Sequence, residues 1–252
     1  MRGISIITVV RNAQSTIERT LRSVDMQSAR QLIEHIIVDG LSTDQTMQIV
    51  LAHESPEGLR RQSVSEADNG IYDAMNKGLN MASQDYVWFI NAGDELYDAD
   101  TAKHILDIID SEDADVVYGD TLIVGDDGKP IGQRRLSPPE ALTWRDFKRG
   151  MLVSHQSFVA RRSLCPQYDT RYHFSADFDW CVRILQSAKV VCNSQQTLSR
   201  FLDGGMTKHN IARSLRERFA IMRTHYGLLS TVAHHIPIAI RFFIFWLRKG
   251  WF

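Results

Sequence analysis

Cysteine is scarce: three residues in 252, Cys165, Cys181 and Cys192, none in a CxxC pair. No disulfide framework is encoded, and buried, reduced thiols fit a reducing compartment. Net charge is also missing. With 29 basic and 30 acidic residues the chain carries −1, so no global field drives it towards nucleic acid. There is no Asn-x-Ser/Thr sequon. There is no recognisable signal peptide either, because the apolar start MRGISIITVV runs into Arg11 and Asn12 without a small-residue cleavage site. Internal repeats and low-complexity linkers are absent. So are GxGxxG and GxxxxGK[ST], which excludes a dinucleotide fingerprint and a P-loop. What remains is an ordinary globular composition, 44% hydrophobic and 23% charged, long enough for one compact domain with a sizeable core.

The apolar pattern alternates between strands and helices. Ile4–Val10 reads as a first strand. A helix follows with Ile17, Leu21 and Val24 on one face and Ser15 as its N-cap. His35–Val38 is a second strand, closed by Asp39-Gly40, and Ser42-Thr43-Asp44 opens a helix carrying Met47, Val50 and Leu51. Arg61–Ser65 is a third strand. Gly70 precedes a helix with Ile71, Met75, Leu79 and Ala82 at helical spacing. Strand Tyr86–Ile90 and a helix over Thr101–Asp110 complete the first half. This alternation predicts an α/β fold with a mostly parallel, doubly wound sheet and helices on both faces. Past residue 112 the rhythm changes. Asp115–Val124 is a strand and Gly125–Pro130 a hairpin turn. A short helix starts at Pro138-Pro139 and runs towards Lys148. Ser157–Ala160 and Leu198–Leu202 are strands, and Asp177–Gln186 and Ile211–Tyr226 are helices.

The run SEADNGIYDAMNKGLNMASQDYVWFINAGDEL, Ser65–Leu96, is the most informative. Its apolar strand empties into the acidic turn Asn91–Glu95. Right-handed crossovers align that turn with three other polar strand ends: Thr8–Arg11, Asp39-Gly40 and Glu66–Asn69. An open α/β sheet presents ligand-binding groups along such a carboxyl edge.

These residues resemble family 2 glycosyltransferases, particularly the bacterial polysaccharide-assembly branch. The likeness lies in ISIITVVRN, in VDGLSTDQT at Val38–Thr46, in the Ser65–Leu96 block and in SADFDWCVR at Ser175–Arg183. It covers most of residues 3–205. The resemblance implies a GT-A fold with C-terminal helices, a nucleoside-diphosphate sugar donor, a divalent metal (Mg²⁺ or Mn²⁺) and inversion at the anomeric carbon. It implies a glycan or lipid-linked acceptor in cell-surface polysaccharide synthesis, and no nucleic acid. Matched residue by residue, Thr8, Val10 and Arg11 fall on the nucleotide contact, and Asp39 on the carboxylate that receives the base or ribose. Asp68, Asn69 and Asn76 fall on a second nucleotide wall. Asp44 serves as a helix cap or a ligand contact, and Asp73 and Lys77 as contacts or a helix-face pair. An Asp-x-Asp motif is usual at the acidic turn. Here Asn91 replaces its first Asp and Gly93 lacks a carboxylate, which leaves Asp94 for the metal. Asp177 matches the catalytic base. A neighbouring position that is often Glu is Ala176, and Asp179 is the competing carboxylate. His155, Gln156 and Lys208 match acceptor or diphosphate contacts, and Arg183 the partner of an Asp…Arg pattern.

The resulting division is 1–112 as donor half, 113–210 as acceptor and catalytic half of the same domain, and 211–252 as a helical tail. The end of that tail, Ile236–Phe252, is apolar, aromatic and basic. Arg241 near its centre makes it a poor span and a better interfacial helix. The expected placement is cytoplasmic and peripheral on the inner face of the membrane. Two rivals stand beside the transferase: a sugar nucleotidyltransferase, and a sugar-nucleotide-binding scaffold without catalysis.

Overall fold

The computed structural model describes residues 2–204 and 210–236. Lys208, and the tail sequence beyond Ile236, lie outside the described residues.

The frame is a nine-stranded sheet. β1 (Ile4–Val10), β2 (Ile33–Asp39), β3 (Arg60–Ser65) and β4 (Tyr86–Phe89) are laid out as β3-β2-β1-β4. All three pairings among them are parallel. The links are α1 (Ile17–Asp25), α2 (Thr46–Ala52) and α3 (Ile71–Met81). β8 (Phe158–Arg161) attaches antiparallel to β4 and also to β6 (Val116–Val124). β6 pairs in parallel with β9 (Val191–Leu202), whose far side carries the two-residue β5, Glu95–Leu96. β7 (Pro130–Gln133) folds back on β6 as a hairpin. The helices α4 (Thr101–Glu112), α5 (Ala176–Ser187) and α6 (Ile211–Tyr226) complete the fold, with a further helical run over 228–236.

Strand β1 shows why the sheet is sealed. All seven of its residues are buried, as expected for a parallel strand covered on both faces. Successive side chains alternate sides. Ile7 and Val9 join the core under α3 and α5. Ile4 and Ile6 join the core under α1 and α4. The buried Glu34 on β2 ties the strands together at their other end. It accepts from Ser5 Oγ at 2.8 Å, Ser83 N–H at 2.9 Å and Gln62 Nε2 at 3.2 Å, and it pairs with Arg60 at 2.7 Å.

Three local expectations need correction. Ser15 is not the cap of α1. Thr16 and Ile17 N–H both donate to Ala13 O, at 3.0 and 2.9 Å, so Ser15 sits inside a turn that already starts the helix. Pro138-Pro139 starts no helix. The Pro139 carbonyl is taken by Tyr118 Oη at 2.9 Å and Asn193 Nδ2 at 3.0 Å, and helical backbone begins only at Trp144, after a Thr143/Asp146 capping box. Leu51 does not join the face of α2, being 73% exposed.

Helix α3 lies directly on β1, and Gly78 is the contact. A Cβ there would overlap Ile7 Cγ2 and press on Val38. Helix propensity alone would favour Gly78→Ala by ~1 kcal/mol. Overlap with the buried Ile7 side chain costs more, ~1–3 kcal/mol. Gly78→Ala is therefore expected to lower the midpoint of denaturant unfolding; a raised midpoint would mean that α3 can lift off the sheet freely.

Candidate active site

Because β1 to β4 run parallel and adjacent, their carboxyl ends share one edge. Thr8 and Val10 support that edge from below. Thr8 is buried, with Oγ1 at 3.0 Å from His35 Nε2. Val10 packs with Ile17 and Leu21, and its carbonyl receives Gly40 N–H at 2.9 Å. Their side chains are spent in the fold; what they deliver is Arg11, which is exposed. Asp39 is buried and accepts from Ser42 N–H at 3.1 Å, from Ser42 Oγ and from Ser65 Oγ at 2.6 Å. The Asp68 carboxylate crosses directly over Gly40, where a Cβ would displace it, with Arg11 Cδ alongside. Arg11, Gly40 and Asp68 thus converge at one point of the edge.

Other matched positions make contacts within the chain. Asn76 clasps the Tyr168 backbone, donating to its carbonyl at 3.0 Å and accepting its N–H at 2.7 Å. Asn69 is exposed, and its N–H donates to Asp73 at 2.9 Å. Asp44 accepts from Thr46 N–H at 3.0 Å and Gln14 N–H at 3.1 Å; its bonds to Thr46, led by the hydroxyl, hold its pKa below the usual value. Lys77 lies 3.1 Å from Glu66 and 4.0 Å from Asp73, a surface network. Asp179 is paired with Arg183 and His225, each at 2.7 Å, away from Asp177.

The acidic turn has unequal members. Asp94 is buried; Oδ1 accepts Leu202 N–H and Oδ2 accepts Gln156 Nε2, both at 2.9 Å. Burial is the dominant effect on its carboxyl and raises the pKa to about 7. Glu95 turns to Arg19 at 3.9 Å. Asn91 differs from both: its Oδ1 is buried and accepts no hydrogen bond. Buried acceptors are seldom left so. Among the described residues no cluster of three His, Cys, Asp or Glu is poised to hold a metal.

Asn91 lines a cavity of about 300 Å³, together with His155, Gln156 and Asp177. Asp177 reaches it from the first turn of α5, half-buried. Its Oδ1 accepts Phe178 N–H at 2.9 Å and Tyr72 Oη at 3.1 Å. Tyr72 is buried, which pushes its phenol pKa well up, so it stays a donor. It stacks on Tyr168 with centroids 5.6 Å apart, and the Tyr168 hydroxyl meets His155 Nε2 at 2.7 Å. His155 is further enclosed by Phe89 and Trp180 at 5.0 and 5.4 Å. Burial lowers its pKa to about 4, so the ring is neutral near pH 7. His155 is therefore a wall and a hydrogen-bond partner, not a cation.

Four of the residues picked out by the sequence, Asn91, His155, Gln156 and Asp177, thus meet at one cavity. Arg11 and Asp68 meet over Gly40. Sequence reasoning missed Tyr72, Arg134 and Arg218, which also line the cavity. Tyr72 looks like one more apolar position of α3, and Arg134 and Arg218 look like solvated charges on a hairpin and an amphipathic helix.

This geometry agrees with what the chain resembles in full. Residues 5–168 match the family profile described as Glycosyl transferase family 2. A PGL/p-HBAD biosynthesis glycosyltransferase of Mycobacterium bovis (strain BCG / Pasteur 1173P2) is 32% identical over 230 residues, 89% of this chain and 86% of its own. In fold, S. aureus TarS 1–349 superposes with a TM-score of 0.70 at 18% identity, covering 93% of this chain and 72% of that one. The TarS 1–349 complex with UDP-GlcNAc gives a TM-score of 0.68 at 19% identity, covering 93% and 73%. The mannosyltransferase PcManGT from Pyrobaculum calidifontis, in complex with GDP-Man and Mn²⁺, gives 0.63 at 17%, covering 95% and 75%. A GT-A sheet, a ligand edge where that fold carries one, and a profile match over more than half its length mean that this chain belongs to glycosyl transferase family 2.

Proposed function

We propose that the protein transfers a sugar, with inversion, from a nucleoside-diphosphate donor to a hydroxyl of a glycan or lipid-linked saccharide. The relatives' roles favour this, since one is named for PGL/p-HBAD biosynthesis and another for teichuronic acid biosynthesis. The observation that carries the reading is the carboxylate of Asp177. It stands in a cavity walled on one side by Asn91, at the carboxyl end of β4. The donor's nucleotide lies along the edge at Arg11, Gly40 and Asp68, above the buried Asp39. The acceptor hydroxyl enters the cavity and loses its proton to Asp177 as it attacks the anomeric carbon. Such a positioned base is worth ~10²–10⁴ in rate. Residues 1–112 then act as the donor half, 113–210 as the acceptor half, and 211–252 as an appended helical segment.

A divalent cation fits the turn by one observation: Asn91 Oδ1 is a buried acceptor without a donor. Asp94, three residues on, would be the carboxylate of a sparse, all-oxygen set. That set suits Mg²⁺ or Mn²⁺, which take their other ligands from phosphate and water. When bound, the ion neutralises charge on the departing diphosphate. Gln156 holds Asp94 in place for it at 2.9 Å.

Attachment to a membrane surface is part of the same proposal. Among the described residues no helix is long and apolar enough to cross a membrane. The run 228–236 nevertheless exposes Leu228, Leu229, Val232 and Ile236, with Leu229 87% exposed. An apolar stripe of this kind suits a peripheral protein of the inner membrane face.

Three outcomes are expected. Asp177→Asn should cut turnover of a nucleotide sugar by ~10²–10⁴ while calorimetric binding of UDP or GDP with Mn²⁺ persists. Undiminished turnover would refute the base, whereas nucleotide binding without turnover in the unaltered protein would favour a binding scaffold. Tyr72→Phe removes one donor to Asp177 and should lower kcat by roughly tenfold with little change in donor KM; an unchanged kcat would make that bond incidental. Removing residues from Leu228 onwards should shift the protein from sedimenting vesicles to the supernatant, and unchanged partitioning would overturn the surface attachment.

A further inference from the structure

Two guanidinium groups share the cavity with Asp177. Arg134 follows β7 on the hairpin, and Arg218 stands on α6. Arg134 donates only to backbone carbonyls, Nη1 to Leu152 O at 3.3 Å and Nη2 to Met151 O at 3.0 Å. Arg218 rests over the Phe178 ring, 5.9 Å from its centroid, and its Nε is buried without a hydrogen-bond partner. Neither arginine forms an ion pair among the described residues.

The charges in this space do not balance. Asp177 is the single carboxylate among the lining residues, and one of its oxygens already serves Tyr72 and the Phe178 N–H. His155 is neutral near pH 7, for the reason given above. Two fixed cations face one lining anion, with Asp120 outside the lining, and in a partly buried space that is costly unless something negative joins them. The strain is visible in Arg134: burial, and then the charge of Arg218, bring its pKa down to about 10, with Asp177 and Asp120 pulling the other way. Guanidinium forks match carboxylate and phosphate oxygens in shape as well as in sign.

The donor's diphosphate is the first anion to consider, but the arrangement points elsewhere. Arg11, Gly40 and Asp68, where the nucleotide is proposed to lie, do not line this cavity, although Asn91 of the acidic turn does. Both arginines come from segments after residue 112, on the side that carries Asp177. We propose that Arg134 and Arg218 form a clamp for an anionic group on the acceptor, a carboxylate or a phosphate borne by the sugar beside the hydroxyl that Asp177 deprotonates. This rests on the acceptor reading of the cavity. It restricts the acceptor to charged saccharides such as uronic acids or sugar phosphates and disfavours neutral ones.

The test is direct binding to the full chain, read by ligand-observed NMR titration, so that it does not depend on turnover. The probes are glucuronate, glucose 1-phosphate, neutral methyl glucoside and inorganic phosphate. At least one charged sugar is expected to bind roughly tenfold or more tightly than methyl glucoside. Preference for glucuronate assigns the group as a carboxylate, and preference for glucose 1-phosphate as a phosphate. Arg134→Gln and Arg218→Gln should each remove about tenfold of that preference, leaving methyl glucoside and UDP binding unchanged. Arg134→Lys should restore part of it. Cooperative thermal melting of each variant reports the fold, and Arg218→Gln, on a helix surface, stands in if the change at Arg134 unfolds the chain. Equal binding of charged and neutral sugars would overturn the clamp. So would inorganic phosphate binding as tightly as glucose 1-phosphate, or a loss of UDP affinity in the arginine variants, which would hand the pair to the donor. If the charged-sugar preference holds but no nucleotide sugar is turned over, the transferase reading fails while the two arginines stand as an anionic-sugar binding site.

Discussion

A sheet buried on both faces leaves polar chemistry one outlet, the carboxyl edge of its strands. The first half of this protein is organised by that constraint. β1, β2 and β4 fill both faces with Ile, Val, Tyr, Trp and Phe, so the polar groups inside it, Ser5, Thr8, Glu34 and His35, must satisfy one another. They do so in two sets, Ser5 with Glu34 and Thr8 with His35. Function is displaced to the residues that follow the strands, and parallel register makes those residues neighbours. The second half then needs only to cover the edge. β8 joins the sheet antiparallel beside β4, and with it come His155, Gln156 and, through α5, Asp177.

Periodicity explains why the frame was legible in the sequence. α3 and α6 fall where their apolar spacing puts them, and Tyr86–Phe89 is one residue shorter than the apolar run. The second half is less legible because its strands pair over long distances. β9 extends back to Val191, since β6 offers it a parallel edge, and nothing local in VCNSQQ announces a strand. Pro138-Pro139 misleads for a similar reason. A proline pair is a fair helix start until distant Tyr118 and Asn193 take the carbonyl.

The site was legible as positions, less so as roles. Motif matching located Thr8, Val10 and Asn76, yet their side chains are spent on His35, on the core and on the Tyr168 backbone. A motif reports that a residue is required, not whether it meets a ligand or the residue that does. Tyr72, Arg134 and Arg218 carry the reverse lesson. Each has an ordinary local pattern, and only the fold turns it towards Asp177.

Asp94 binds the two halves: it receives Leu202 N–H from the end of β9 and Gln156 from the segment before β8. Its proton affinity gives this joint a thermodynamic signature. In the unfolded chain the carboxyl titrates near its ordinary 3.8, and in the folded protein near 7. Between these values the native state holds a proton that the unfolded chain releases. Folding is therefore coupled to proton uptake. The stabilisation from this one residue is complete below the unfolded value and fades as pH rises through 7. The carboxylate that joins the halves is thus also a proton-linked element of stability, most favourable to the fold on the acid side of neutrality.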